Sequence, residues 1–240
     1  MREIINNFIN QTTLEELMNG MEKCEVDSLE WRTINSLKAI YLERNKPSTR
    51  EIILTFKEKD LEHIPLGFSE YKDNLDIEVY EERRSLLEYN PIYRHPIPYV
   101  IIKNKSKYFF ILREAGSGEA MLIGKKGMVG GHVAVDDIEK NDSVVDSIIK
   151  GLYRELEEEA GITGSIITDI ALKGVIKSNE GVDRYHLGLI YEIEINTTDI
   201  KAEEEGVLTG IWIDKEDLSS HYNSFESWAK IVYDHILQSK

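Results

Sequence analysis

Gly151-Leu-Tyr-Arg-Glu-Leu-Glu-Glu-Glu-Ala-Gly-Ile162 decides how this chain is read, because four carboxylates and one arginine fall between Arg154 and Glu159 and a glycine follows at 161. At about 100° per residue, Val145, Ile148, Ile149, Leu152 and Leu156 gather on one side of a helix. Glu155, Glu158 and Glu159 gather on an adjoining arc, with Asp146 and Arg154 further round. Like charges three and four residues apart repel by a few tenths of a kcal/mol per pair. Most charge runs are solvated faces; here a bound divalent cation would offset the repulsion, since hard cations take oxygen ligands.

The helix has local start and stop signals. Ser143-Val-Val-Asp146 fits a capping box with aspartate in place of glutamate, and Gly161 suits the residue that ends a helix in a left-handed conformation. Before it, Met128-Val-Gly-Gly-His-Val133 is expected to be a short strand in which glycines permit close backbone approach. Further upstream, Tyr99–Ile102 and Tyr108–Leu112 form a hairpin around Asn104-Lys-Ser106, and Glu51–Phe56 is another strand. Downstream, Ser165–Thr168, Leu172–Ile176, Tyr185–Ile195 and Gly210–Ile213 read as strands, and Ser224–Leu237 as an amphipathic helix. The segment 57–89 carries no clear periodicity. Mixed strands around a central helix, with another helix at the end, make an α/β sandwich.

Residues 1–46 read as a helical N-terminal extension, with a capping box at Thr13 and Glu16 and a second helix from Ser28 to about Leu42. Six Lys or Arg against eight Asp or Glu in residues 1–47 disfavour a phosphate-gripping helix-turn-helix and favour packing or homodimerisation.

The 240 residues carry a net charge of −15, which opposes general binding to nucleic acid or anionic membrane. No apolar run reaches the ~18 residues of a membrane span, and the first residues lack the features of a signal peptide. Cys24 is the single cysteine, so an internal disulfide is excluded. These features point to the cytoplasm. Anionic small molecules stay open as substrates if cations and a few local basic residues meet them.

Arg154-Glu-Leu-Glu-Glu-Glu-Ala-Gly-Ile162 resembles the second half of the Nudix box, R-E-U-x-E-E-x-G-U with U aliphatic, at every fixed position. The box's earlier acid is expected eight residues before the arginine, where Asp146 stands. Its opening glycine is expected six residues earlier still, but Lys140 stands there. Gly131 is the glycine available, which makes the box 131–162 and places a nine-residue excess before Asp146, absorbed by a surface loop at 136–142. The surroundings also resemble a bacterial Nudix subgroup described as phosphoesterases. Those stretches are Arg84-Ser-Leu-Leu-Glu88, Pro96-Ile-Pro-Tyr-Val100, Gly118-Glu-Ala-Met-Leu122 and Gly130-Gly-His-Val133. The resemblance spans roughly residues 50–230 and sets a Nudix domain at 47–240.

The resemblance implies an α/β/α sandwich and a hydrolase that cleaves a diphosphate linkage in a nucleoside diphosphate derivative. It assigns Mg²⁺ or Mn²⁺ to Glu155, Glu158 and Glu159, with the Gly131 carbonyl as a further ligand. Arg154 would hold the carboxylates in place, supported by Asp146. Glu155 or Glu204 would take the proton from the attacking water. Arg113, Lys125, His132 and Arg184 are the substrate-binding candidates, with Lys126 and His186 near them. Trp212 and Trp228 are expected in packing roles. The rival expectation, from a different class, is a non-catalytic ligand-sensing or regulatory Nudix module with the N-terminal helices as its output.

Overall fold

The computed structural model describes residues 2–71, 77–114, 122–139, 142–202 and 208–238. Three helices come first: α1 (Arg2–Gln11), α2 (Leu14–Glu22) and α3 (Leu29–Asn45). Strands β1 (Ile52–Lys57), β2 (Gly67–Ser69) and β3 (Val79–Arg83) and the one-turn helix α4 (Arg84–Leu87) follow. Next are β4 (Tyr93–Asn104), β5 (Lys107–Arg113), β6 (Lys126–Gly127), β7 (Val129–Gly130) and helix α5 (Val144–Ala160). Strands β8 (Ile167–Lys177), β9 (His186–Ile195) and β10 (Leu208–Asp214) lead to α6 (Leu218–His221) and α7 (Ser227–Val232). A π-helical turn, Tyr233–Leu237, continues α7.

The central sheet runs β10-β5-β4-β9-β8-β2, with β1, β6 and β7 on further edges of β4 and β5 and with β3 paired to β1. Only β4 and β9 pair in parallel among the described strands. Side-chain alternation divides these strands between two cores. Val100, Ile102, Phe109, Ile111, Leu187 and Leu189 face Ile148, Leu152, Leu156 and Ala160 of α5. Tyr99, Ile101, Phe110 and Ile190 face Phe225, Trp228, Ala229 and Val232. Helices thus cover both faces of a mixed sheet, the α/β/α sandwich expected, with helices α1 to α3 before it.

Strand β4 is longer than the four residues expected, because Pro96 and Pro98 lie inside it. Over residues 95–98 it is paired on the β9 side alone: β1 reaches only Arg94, and β7 begins at Tyr99. A proline has no N–H to leave unpaired at such a gap. The strand expected over 128–133 stops at Gly130, after which the chain leaves the ladder. The two strands expected at 165–168 and 172–176 are one, interrupted by a register shift between Leu172 and Gly174.

Helix α5 follows its local signals. The Ser143 hydroxyl caps the Asp146 N–H while the Asp146 carboxylate accepts from the Ser143 N–H, and Gly161 ends the helix at φ 62°. Asp146 is therefore spent on the cap rather than on Arg154, contrary to expectation.

The N-terminal helices are tied to the sandwich through buried polar groups. Lys38 Nζ donates to the Glu88 carbonyl, and Asn35 Nδ2 donates to the Leu86 carbonyl at 3.2 Å. Burial pushes the Lys38 ammonium down to about 7, with the Glu88 charge acting in the opposite direction. The unfolded chain, with lysine near its usual value of about 10.4, then binds more protons than the folded chain across that interval, so stability rises with pH. Denaturant unfolding between about pH 7 and pH 10 is expected to show this rise, and Lys38→Met is expected to flatten it. A wild-type profile as flat as that of Lys38→Met would overturn the assignment.

Candidate active site

The site forms where α5 passes beneath the backbone that leaves β7. Gly130 and Gly131 are needed there for space. A Cβ at Gly130 would stand 2.7 Å from the Pro98 carbonyl oxygen, and one at Gly131 would overlap the Glu155 carboxylate. Beside this close approach, the Glu159 carboxylate accepts from the Gly130 N–H at 3.4 Å.

Arg154 ties the parts together. Its Nε and Nη2 donate to the two Asp137 oxygens at 2.9 and 3.1 Å, a bidentate fork. Nη2 also donates to the His132 carbonyl at 2.7 Å, and Nη1 reaches Glu155 and Glu158, each at 2.9 Å. Burial works against the guanidinium charge, but the Asp137 bonds and the Glu155 charge more than offset it and hold the pKa above the ordinary arginine value. Glu155 lies half-buried, and burial raises its pKa against the lowering effect of Arg154. Glu51, just before β1, faces the same cluster; burial raises its pKa too, with Arg84 at 4.0 Å opposing.

The partner of Arg154 is thus Asp137, and Asp146 sits in the helix cap. Asp137 lies six residues after Gly131, the spacing expected between the glycine and acid of the box, and it stands 17 positions before Arg154. The nine-residue excess therefore falls between the acid and the arginine, on the other side of the acid from where the sequence was expected to accommodate it. Counting forward from Gly131 would have found Asp137; counting back from Arg154 finds Asp146.

A cavity of about 800 Å³ opens above this cluster. Arg154, Glu155, Glu158, Glu159, Gly131, His132 and Arg113 all line it, as do Glu51, Arg84, Tyr99, His186, Glu226 and Trp228. Two expected substrate contacts are not among the lining residues. Arg184 stacks on the Tyr185 ring instead, and Lys125 uses its carbonyl to pair with the Arg113 N–H. Lys126 donates to the Ser224 hydroxyl at 2.7 Å. Glu204 lies outside the described residues. Trp228 packs as expected against Tyr99, yet it also borders the cavity.

The far wall holds a second polar group that the sequence did not announce. The Tyr99 hydroxyl donates to Glu226 Oε1 at 2.6 Å and accepts from the Met128 N–H. Arg113 approaches the other Glu226 oxygen at 3.7 Å. These residues come from β4, β5 and the start of α7, so only the folded sheet brings them together.

No protein-family model matches the chain. Protein YmaB of Bacillus subtilis is 31% identical over 159 residues, which span 64% of this chain and 76% of that protein. The crystal structure of Tm1382, described as a Nudix hydrolase, superposes with a TM-score of 0.64 at 25% identity, covering 78% of this chain and 99% of that one. The chain belongs to the Nudix hydrolase family. A MutT protein from Methanosarcina mazei is more distant, at 20% identity over 59% of this chain and 91% of its own, with a TM-score of 0.42. The Nudix assignment brings the reaction class with it, hydrolysis of phosphoanhydride-containing substrates. No helix among the described residues is long and apolar enough to cross a membrane.

Within this Nudix site, Asp137 and Asp146 make a clean contrast. Asp137→Asn removes the charge that fixes the Arg154 fork and is expected to lower kcat by roughly 10–100-fold, the scale on which residues that position functional groups act. Asp146→Ala is expected to lower thermal stability while leaving kcat within about twofold, because only a helix cap is lost. Steady-state kinetics beside thermal melts would reveal the reverse ranking, which would restore the supporting role to Asp146.

Proposed function

We propose that the chain is a metal-dependent Nudix pyrophosphohydrolase acting on a small-molecule diphosphate, with nucleoside diphosphate derivatives as the substrate class. The observation that carries this reading is the Arg154 fork. One cation gathers Glu155 and Glu158 beside a glycine whose missing side chain leaves room for the Glu155 carboxylate. With Glu159 they form a set of hard oxygen donors that suits Mg²⁺ or Mn²⁺, and the Gly131 carbonyl is a candidate fourth donor. Such an ion, when bound, neutralises diphosphate charge and makes a water more acidic.

The remaining steps belong to the protein. Arg154 keeps Glu155 and Glu158 aligned and spreads their repulsion before any ligand arrives. Arg84 and Arg113 border the same cavity and supply positive charge for the phosphoryl oxygens. Glu155 is the base this reading favours, because burial raises its pKa and so makes it the better proton acceptor beside the exposed Glu158. Glu204 remains a second candidate for that proton. Tyr99 and Trp228 offer an aromatic wall against which the non-phosphate part of the substrate can rest.

The test is a panel of nucleoside diphosphate derivatives with Mg²⁺ or Mn²⁺, run on wild type and Glu158→Gln. Wild type is expected to release a phosphate-containing product from at least one of them. Glu158→Gln is expected to lose at least about 100-fold in kcat, the scale for one electrostatic group at a reacting phosphate. An inert wild type would remove the hydrolase reading. Equal rates in the two proteins would remove the metal assignment.

A further inference from the structure

Three histidines from three separate segments meet at the floor of the cavity. His95 lies in β4, His186 opens β9 directly opposite it in the parallel ladder, and His132 follows Gly131. One nitrogen from each ring can be chosen so that all three lie within 4.8 Å of one another. His95 Nδ1 and His132 Nε2 are 3.1 Å apart. Two imidazole nitrogens about 2.0–2.1 Å from one tetrahedral ion would stand roughly 3.3–3.4 Å apart. The rings are inclined at 52°, 66° and 83° to one another, so they meet at angles rather than stack.

The surroundings suit ligation better than packing. A trio of apolar side chains would fill the same space without burying ring nitrogens. The Leu87 carbonyl bears on the His95 ring and the Val182 carbonyl on the His186 ring. Backbone carbonyls behind ligating imidazoles fix their orientation. At the third corner, Arg154 holds the His132 carbonyl. His132 and His186 line the cavity, so the side away from His95 is open to it.

We propose that His95, His132 and His186 form a three-nitrogen site for a divalent transition ion of the zinc or cobalt class, with an open position facing the cavity. Imidazole donors select such ions, whereas the neighbouring carboxylates suit magnesium and manganese. The open position would accept an oxygen of an anionic ligand, so this site and the carboxylate cluster would grip one substrate from two sides. The histidine site stands on its own geometry and does not depend on the hydrolase reading.

The experiment titrates Co²⁺ into the metal-free 240-residue chain in excess Mg²⁺ and follows visible absorption. One Co²⁺ per chain with the bands of a nitrogen-ligated ion is expected. The bands should persist in Glu155→Gln/Glu158→Gln, and His186→Gln should weaken binding at least about tenfold. Absent bands in wild type, or bands unchanged in His186→Gln, would overturn the proposal. So would bands that vanish with the glutamates and survive His186→Gln. Should His186→Gln fail to fold by circular dichroism, anomalous scattering at the cobalt edge from wild-type crystals decides. A peak among the three imidazoles supports the site; a peak only at the glutamates, or none, overturns it. An inactive chain that shows the bands would count against the hydrolase reading alone, and an active chain without them against the histidine site alone.

Discussion

A single guanidinium accounts for the shape of this site. Arg154 binds Asp137 through two nitrogens, a backbone carbonyl through one of those, and two glutamates through the third. Removing it would leave carboxylates from two segments facing one another across a half-buried space, where repulsion is poorly screened. The sandwich supplies the setting. The apolar side of α5 is locked into the core by Ile148, Leu152 and Leu156, so the charged arc has no freedom to rotate away. Packing on one side of the helix and charge pairing on the other fix the same orientation.

Much of this was legible in the chain because the signals are local. The ends of α5 are set by Ser143, Asp146 and Gly161, all within a turn of the positions they control. The acidic arc and its apolar opposite follow from helical period alone. The identity of the Arg154 partner was not legible in that way, since two aspartates satisfy two different counts and only the folded backbone chooses between them. The same holds for Glu51 and Glu226, which reach the cavity from outside the box and whose neighbours in sequence carry no motif.

The edges of the sheet were hidden for a different reason. Strand β3 shows no alternation, with Glu81, Glu82 and Arg83 all exposed, so its pairing with β1 has no periodic trace. Strand β2 is three residues long and exists through its ladder with β8. In β4 the two prolines read as punctuation, whereas the parallel partner β9 carries the strand straight through them. Histidines at 95 and 186 became neighbours only through that same register. Parallel pairing is a long-range choice, and a linear reading has little access to it.

The displacement of the extra residues has an energetic meaning of its own. Closing a contact over 17 positions rather than eight costs only about 0.7 kcal/mol in chain entropy, by the logarithmic scaling of loop closure. A charged bidentate hydrogen bond more than covers that amount. The acid and the arginine can therefore drift apart along the chain while remaining partners in space. In this chain the contact is kept while the spacing between the two residues is longer than the box pattern gives.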